Sequence, residues 1–173
     1  DAQTGMKAEA SFGGKGTITG NLNVITTGTG KALADTHSPN LQISGFSAAV
    51  NRVTATFNAE LNALIDNTGV MTVTGNVVVN SSLTADTKAN VVGPAGNISA
   101  VRTDVNIVRT YSNADAKAGI TSSNGKGSLK AGNVDIDAEA ITTSTSKTKE
   151  GLSASLTSFG SLLSEAYTAD SVS

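Results

Sequence analysis

The chain of 173 residues contains no cysteine, no tryptophan, two prolines and a single histidine, His37. Without cysteine it has neither a disulfide framework nor a thiolate metal site. With one histidine it has no histidine dyad and no histidine-rich zinc site. Aromatic residues make up 3% and charged residues 15% of the chain, both low for a compact globular domain. The apolar residues are mostly Ala and Val, which favours a thin core between closely spaced strands.

The net charge of −2 is close to neutral. A nucleic-acid partner would require a basic face, and so would an anionic membrane surface, so we expect neither. No apolar run approaches the roughly 18 residues of a membrane span, and nothing has the pattern of a signal peptide. We therefore expect no membrane insertion. The chain opens on Asp1, from which we expect a processed product or a fragment.

An internal repeat of about 55 residues is the main feature that is present. The pair Gly20-Asn21 returns as Gly75-Asn76 and, two residues late, as Gly132-Asn133. Periods of this order are typical of solenoids and repeat arrays. We therefore expect one elongated domain over 1–173, with a partial repeat at 1–40, full repeats at 41–96 and 97–151, and a partial repeat at 152–173.

Alternation with a period of two dominates each repeat and predicts strands with one buried and one wet face. The predicted inward residues after the second Gly-Asn pair are Val77, Val79, Ser81, Leu83, Ala85, Thr87, Ala89 and Val91. After the first pair they begin Leu22, Val24, Thr26, and after the third Val134, Ile136, Ala138, Ala140. The second half of each repeat also alternates, with Val53 returning as Val108 and Lys117 on the outward side of Ala116.

These runs exceed the usual strand length of roughly 3–10 residues, so we expect bends at their small residues. Turn clusters at 37–40, 93–96 and 122–127 mark further breaks. The predicted fold is an all-β, right-handed parallel β-helix with about two coils of roughly 27 residues per repeat. Six coils at about 4.8 Å each would make a rod on the order of 30 Å long. A helical alternative exists only near 162–166.

The run Gly45-Phe46-Ser47-Ala48-Ala49-Val50-Asn51, followed by a Thr-Ala strand, resembles segments of large bacterial exoproteins. These are the filamentous-haemagglutinin-like and leukotoxin-like adhesins exported by two-partner or autotransporter routes. The strands that begin Gly75-Asn76-Val77 and Gly132-Asn133-Val134 are similar to theirs, and Thr103-Asp104 departs from Ala48-Ala49. The resemblance implies a β-helical stalk or adhesive surface, secreted or on the cell surface. The implied partner is a receptor or glycan on a host or neighbouring cell.

Candidate chemistry is sparse, and we predict no enzyme, no cofactor, no metal and no catalytic residue. Asp135, Asp137 and Glu139 form an outward stripe that could bind an ion, but a solvated strand face is the preferred interpretation. The glycine-rich stretches 13–17 and 28–31 do not complete a phosphate-binding loop, so their glycines are assigned to corners.

Three alternatives remain beside the structural and adhesive interpretation. The first is a self-assembling filament, in which one copy stacks end to end on another. The second is an ice-binding face built from rows of threonine, namely Thr17, Thr19, Thr26, Thr72, Thr74, Thr142, Thr143 and Thr145. The third is a polysaccharide-degrading β-helix, for which six aromatic residues provide few sugar subsites.

Overall fold

The computed structural model describes residues 1–37, 41–92, 96–149 and 153–172. Within these ranges the chain forms eight strands and no helix: β1 Ala2–Ile18, β2 Leu22–His37, β3 Leu41–Val73, β4 Val77–Val92, β5 Gly96–Thr121, β6 Ser128–Lys130, β7 Val134–Lys149 and β8 Ser153–Val172. The helical alternative at 162–166 is wrong, because this segment lies within the strand β8.

The strands form two parallel sheets. One sheet has the order β1-β3-β5-β8, with the short β6 also paired to β3, and the other has the order β2-β4-β7. The chain passes from the first sheet to the second and back, so each strand lies beside the equivalent strand of the next repeat. The all-β prediction is confirmed, with parallel pairing in both sheets.

The pairing register shows that one repeat adds one strand to each sheet. Leu22 lies beside Val77, 55 positions later, and Val77 lies beside Val134, 57 positions later. The offset grows at the turn 122–127, since Asp66 pairs with Thr121 but Val70 pairs with Ser128.

The prediction of two coils of about 27 residues per repeat is therefore wrong. The small residues within the alternating runs do not turn the chain, and β3 continues through them for 33 residues. The first sheet is consequently only four strands deep along its main path. Its outer strands are about 14 Å apart at a strand spacing of about 4.8 Å, rather than the roughly 30 Å expected.

The predicted inward faces are confirmed where strands have neighbours on both sides. All eight predicted inward residues of β4 are buried, and so are Val53 and Val108 in the opposite sheet. In β7, which lies at the edge of its sheet, Val134 and Ile136 occupy the same columns but are 49% and 47% exposed. The core is thus a layer of Val, Ala and Leu between the two sheets.

Phe57, 1% exposed, is the largest of the fully buried side chains, and glycines in the facing strand β2 make room for it. A Cβ built on Gly30 would lie 2.1 Å from Phe57 Cε2. One built on Gly28 would lie 2.5 Å from Met6 Cε and 2.9 Å from Leu61 Cδ2. These glycines are therefore core positions that a side chain would overfill.

The repeated Gly-Asn pair forms an asparagine ladder where the chain passes between the sheets. Asn76 N donates to Asn21 Oδ1 at 2.9 Å, and Asn133 N donates to Asn76 Oδ1 at 3.2 Å. The preceding glycine leaves space for the amide above it, since a Cβ on Gly75 would lie 2.2 Å from Asn21 Oδ1. The asparagine side chains thus accept hydrogen bonds from backbone N–H groups at the turn, where the strand pairing is interrupted.

No residue in the first part of β3, residues 43–52, is fully buried. In the part of β5 that pairs with these residues of β3, the buried side chains are polar: Ser99, Arg102 and Asn106. Asn51 Nδ2 donates to Asn106 Oδ1 at 2.8 Å, and Arg102 forms an ion pair with Asp104. Asp104 pairs in register with Ala49, so an ion pair is present at the position where Thr103-Asp104 replaces Ala48-Ala49.

Candidate ligand-binding face

The acidic stripe lies along one side of β7. Asp135, Asp137 and Glu139 are all exposed, and Asn80 Nδ2 donates to Asp137 Oδ2 at 3.4 Å. Side chains two positions apart on a strand are about 7 Å apart, so the strand holds these carboxylates in a row. Among the described residues no three or more metal-binding side chains converge.

The predicted turn at 122–127 is present. Gly125 adopts a φ of 66°, which favours glycine, and its N–H donates to Ser122 O at 3.1 Å. Residues 38–40 and 93–95 of the other two clusters, and the side chain of His37, lie outside the described residues.

The glycine-rich stretches are parts of strands. Gly28 and Gly30 lie within β2 against the core. Gly14 and Gly16 flank a bulge in β1, with φ angles of 154° and 127°. A phosphate loop would instead present several backbone N–H groups at the start of a helix.

The threonine rows do not form one flat face. Thr26 is buried, and its Oγ1 donates to Asn62 O at 2.8 Å. Thr74 is exposed at the corner, where its Oγ1 accepts a hydrogen bond from Gly20 N at 2.8 Å. These two threonines of the predicted rows therefore point into the core and into a turn, and they do not share one flat surface.

A depression of about 570 Å³ lies on the outer face of the β1-β3-β5-β8 sheet. Gly5, Asn58 and Asn113 occupy one register column across three strands, and Lys7, Glu60 and Asp115 occupy the column two positions further on. We call this surface the outer depression; it is lined by Gly5, Met6, Lys7, Asn58, Ala59, Glu60, Asn113 and Asp115. Because Gly5 has no side chain, the surface is recessed at this end of the first column.

The carboxylates of the second column form ion pairs with lysines. Lys7 Nζ lies 3.1 Å from Glu60 Oε2, and Lys117 Nζ lies 3.2 Å from Asp115 Oδ2. A hydrogen bond from Asn62, followed by the interaction with Lys7, lowers the pKa of Glu60, so its carboxylate is ionised at neutral pH. Each carboxylate beside the depression thus has a lysine neighbour, and the surface is polar with balanced charge.

Two stacked tyrosines lie next to the outer depression. Tyr111 and Tyr167 are paired in register two positions before Asn113 and Ala169, with ring centroids 5.1 Å apart and planes 6° from parallel. Interaction with the carboxylate of Glu165 raises the pKa of Tyr167, so its phenol keeps its proton at neutral pH. The rings add a partly exposed apolar border to a polar surface.

The residues of this face are visible in the sequence, but their arrangement into one surface is not. The return of Asn58 as Asn113 one repeat later is visible in the sequence. The further alignment with Gly5, and the depression itself, depend on the register between β1 and β3. The six aromatic residues predicted few sugar subsites, and the fold stacks the chain's two tyrosines together.

Comparison with protein-family models, with curated proteins and with solved structures finds no match for this chain. In the described residues no helix is long and apolar enough to cross a membrane.

Proposed function

We propose that this chain is a segment of a right-handed parallel β-helix that serves as a non-enzymatic stalk or adhesive surface of a large secreted or cell-surface bacterial protein. The observation that carries the proposal is the register, in which every repeat adds one strand to each of two parallel sheets. Such a structure lengthens by repetition alone, which suits a molecule that must span distance. The handedness rests on the strong preference of parallel β crossovers for the right-handed path.

The stack also has the properties that a stalk requires. Main-chain hydrogen bonds join the long strands, and the asparagine ladder continues them at the corner. Every repeat exposes a fresh set of outward polar side chains, because alternation sends every second residue to solvent. A change of outward residues would alter binding without altering the core.

The adhesive part of the proposal is tested with fluorescently labelled polypeptide 1–173 on epithelial cells and on bacterial cells. We expect saturable binding to at least one surface, competed by unlabelled polypeptide. The control is an Ala116→Arg variant, which should not fold. No saturable binding to either cell type, or equal binding of the unfolded variant, would contradict adhesion. Chain cleavage of pectin, alginate or glycosaminoglycans by the folded polypeptide would contradict a non-enzymatic role.

Self-assembly is the second candidate, and one observation favours it. The edge strand β7 has a paired neighbour on one side among the described residues, and its Val134 and Ile136 are half exposed. A long edge with apolar residues is a template for pairing with another chain. Sedimentation at rising concentration, together with electron microscopy, distinguishes the candidates: filaments would support assembly, and a monomer at all concentrations would exclude it.

A further inference from the structure

In the first part of β3 and the strand beside it, apolar side chains point outward and polar side chains point inward. Phe46 is 64% exposed and Val50 is 74% exposed, whereas Arg102 and Asn106 of the neighbouring strand β5 are buried. This is the reverse of the pattern in β4, where the apolar residues are buried. The reversed segment therefore presents apolar side chains that the core of the chain does not use.

The exposed apolar side chains come from three neighbouring strands and form one surface. The register places Phe46 beside Val101, and Phe159 of β8 lies one column further along beside Thr103. We call this surface the outer apolar face; it consists of Ile43, Phe46 and Val50 of β3, Ile98 and Val101 of β5, and Phe159 of β8.

The size of the outer apolar face is that of an interface between proteins. Its six residues expose about 700 Å² in total, since a fully exposed aromatic side chain presents roughly 150–250 Å² and an aliphatic one somewhat less. The largest apolar patch of a monomer is usually about 300–600 Å². A stable interface takes about 800 Å² from each partner, so this face alone supplies most of one half.

The outer apolar face carries no charge. The outward positions between its large residues hold small or hydroxyl-bearing side chains, namely Ala48, Thr103 and Thr157. A charged partner would therefore find no group of opposite sign there. The whole chain has a net charge of −2, so two copies repel each other only weakly. Charge thus favours an uncharged apolar partner surface, which a second copy of the chain provides.

We propose that two copies of this chain pair through their outer apolar faces, about a twofold axis that runs across the strands between Phe46 and Ala48. The same axis passes between Thr157 and Phe159, because the register holds these residues in the same two columns. Phe46 of each copy then packs on Ala48 of the other, and Phe159 packs on Thr157. A large ring meets a small side chain at both places, so the face is complementary to itself, as a twofold interface requires.

The pairing joins two β-helices side by side and is closed. The axis brings Ile43 of each copy opposite Val50 of the other, and each outer apolar face is used once. End-to-end stacking at the edge strand β7 would instead continue from copy to copy. This inference goes beyond the proposed stalk or adhesive role and does not depend on it.

Sedimentation equilibrium of polypeptide 1–173 at rising concentration tests the pairing, and we expect a dimer that does not grow further. The double variant Phe46→Ser/Phe159→Ser should raise the dissociation constant at least about a hundredfold, because each substitution removes a ring from both halves of the interface. The matched control is Leu33→Ser, at a position that is 60% exposed on the other sheet, and it should leave the dissociation constant unchanged. Urea unfolding below the dissociation constant checks that the variants fold, since an exposed side chain contributes little to the stability of the separated chain.

A complementary pair of variants tests the arrangement within the dimer. Ile43→Glu and Val50→Lys should each be monomeric alone, because each would bury a charge against an apolar side chain. Mixed together they should form a dimer with one chain of each kind, since the glutamate of one chain then faces the lysine of the other.

The inference is overturned if the unsubstituted chain is a monomer at all concentrations, or if its assemblies are filaments that the double variant retains. It is also overturned if the double variant dimerises unchanged, or if the mixture of Ile43→Glu and Val50→Lys stays monomeric. A monomer that binds phosphatidylcholine vesicles, and loses this binding in the double variant, would assign the outer apolar face to a lipid surface and refute the pairing.

Discussion

Replacing Gly75 by Ala tests the asparagine ladder at the corner between the sheets. The new Cβ would lie 2.2 Å from Asn21 Oδ1 and 2.8 Å from Gly20 O, so both groups must move. Moving the Asn21 amide breaks the 2.9 Å bond from Asn76 N, and moving Gly20 weakens the 2.9 Å bond from Gly75 N to Gly20 O. Two such bonds contribute about 2 kcal/mol.

The crowding itself adds about 1 kcal/mol, and the lower entropy of the unfolded alanine chain offsets somewhat less than that. We therefore expect a net destabilisation of about 2 kcal/mol, or a melting temperature lower by about 4–8 °C for a chain of this length. Urea and thermal unfolding, followed by far-ultraviolet circular dichroism, measure both quantities.

Gly45→Ala is the matched control, because no heavy atom of the described residues lies within 4 Å of its added Cβ. It should change the stability by less than about 0.5 kcal/mol. An Asn21→Ala background should reduce the Gly75→Ala penalty, since the amide that it crowds is gone. Equal effects of the two glycine substitutions, or a penalty unchanged by Asn21→Ala, would refute the ladder.

Three other predictions concern the assigned faces, the core and one carboxylate. Ala116→Arg should abolish folding, because Ala116 is 0% exposed, whereas Lys117→Glu on the outer side should retain the fold by circular dichroism and lose about 1 kcal/mol or less, because it removes a partly exposed ion pair with Asp115; equal tolerance would refute the assigned faces. Phe57→Ala should cost about 3–5 kcal/mol in urea unfolding and Phe46→Ala, on an exposed position, less than about 1 kcal/mol; the reverse order would refute the core assignment. Asp66 accepts a hydrogen bond from a backbone N–H, which lowers its pKa below the ordinary value of 3.8, so its contribution is present at neutral pH and is lost as the pH falls below about 4. Asp66→Asn should therefore weaken the loss of stability on acidification, and an unchanged pH profile would contradict this.

Much of the fold could be predicted from the sequence, because successive side chains of a strand point to opposite faces and the alternation of apolar and polar residues shows which face is buried. The sequence of β4 alternates without interruption, and each of its predicted inward residues is buried. The number of coils per repeat could not be predicted in the same way. Alternation specifies which face a side chain takes but does not specify where a strand bends, and β3 runs through its small residues as one strand.

Neither the role of the Gly-Asn pairs at the corner nor the outer depression could be predicted from the alternation pattern alone. Both depend on the register between neighbouring strands. Gly75-Asn76 is conspicuous as a repeat, but its role follows from the amide of Asn21 lying directly above it. Likewise a shift of 55 residues maps Gly5 onto Glu60, and Gly5 joins the column of Asn58 only through the pairing of β1 with β3, where the offset is 53 residues.

The most direct test of the central claim, that one repeat forms one layer of the stack, uses the absence of cysteine. Cysteines placed at Asn23 and Val78, which are paired in register, can be spin-labelled without interference from native thiols. We expect strong spin exchange in the electron paramagnetic resonance spectrum, because the two Cα atoms are about 4.8 Å apart. Labels at Asn23 and Val50, about half a repeat apart, should show none. Strong exchange in the second pair and none in the first would show that half a repeat forms one layer, contrary to the register between β2 and β4.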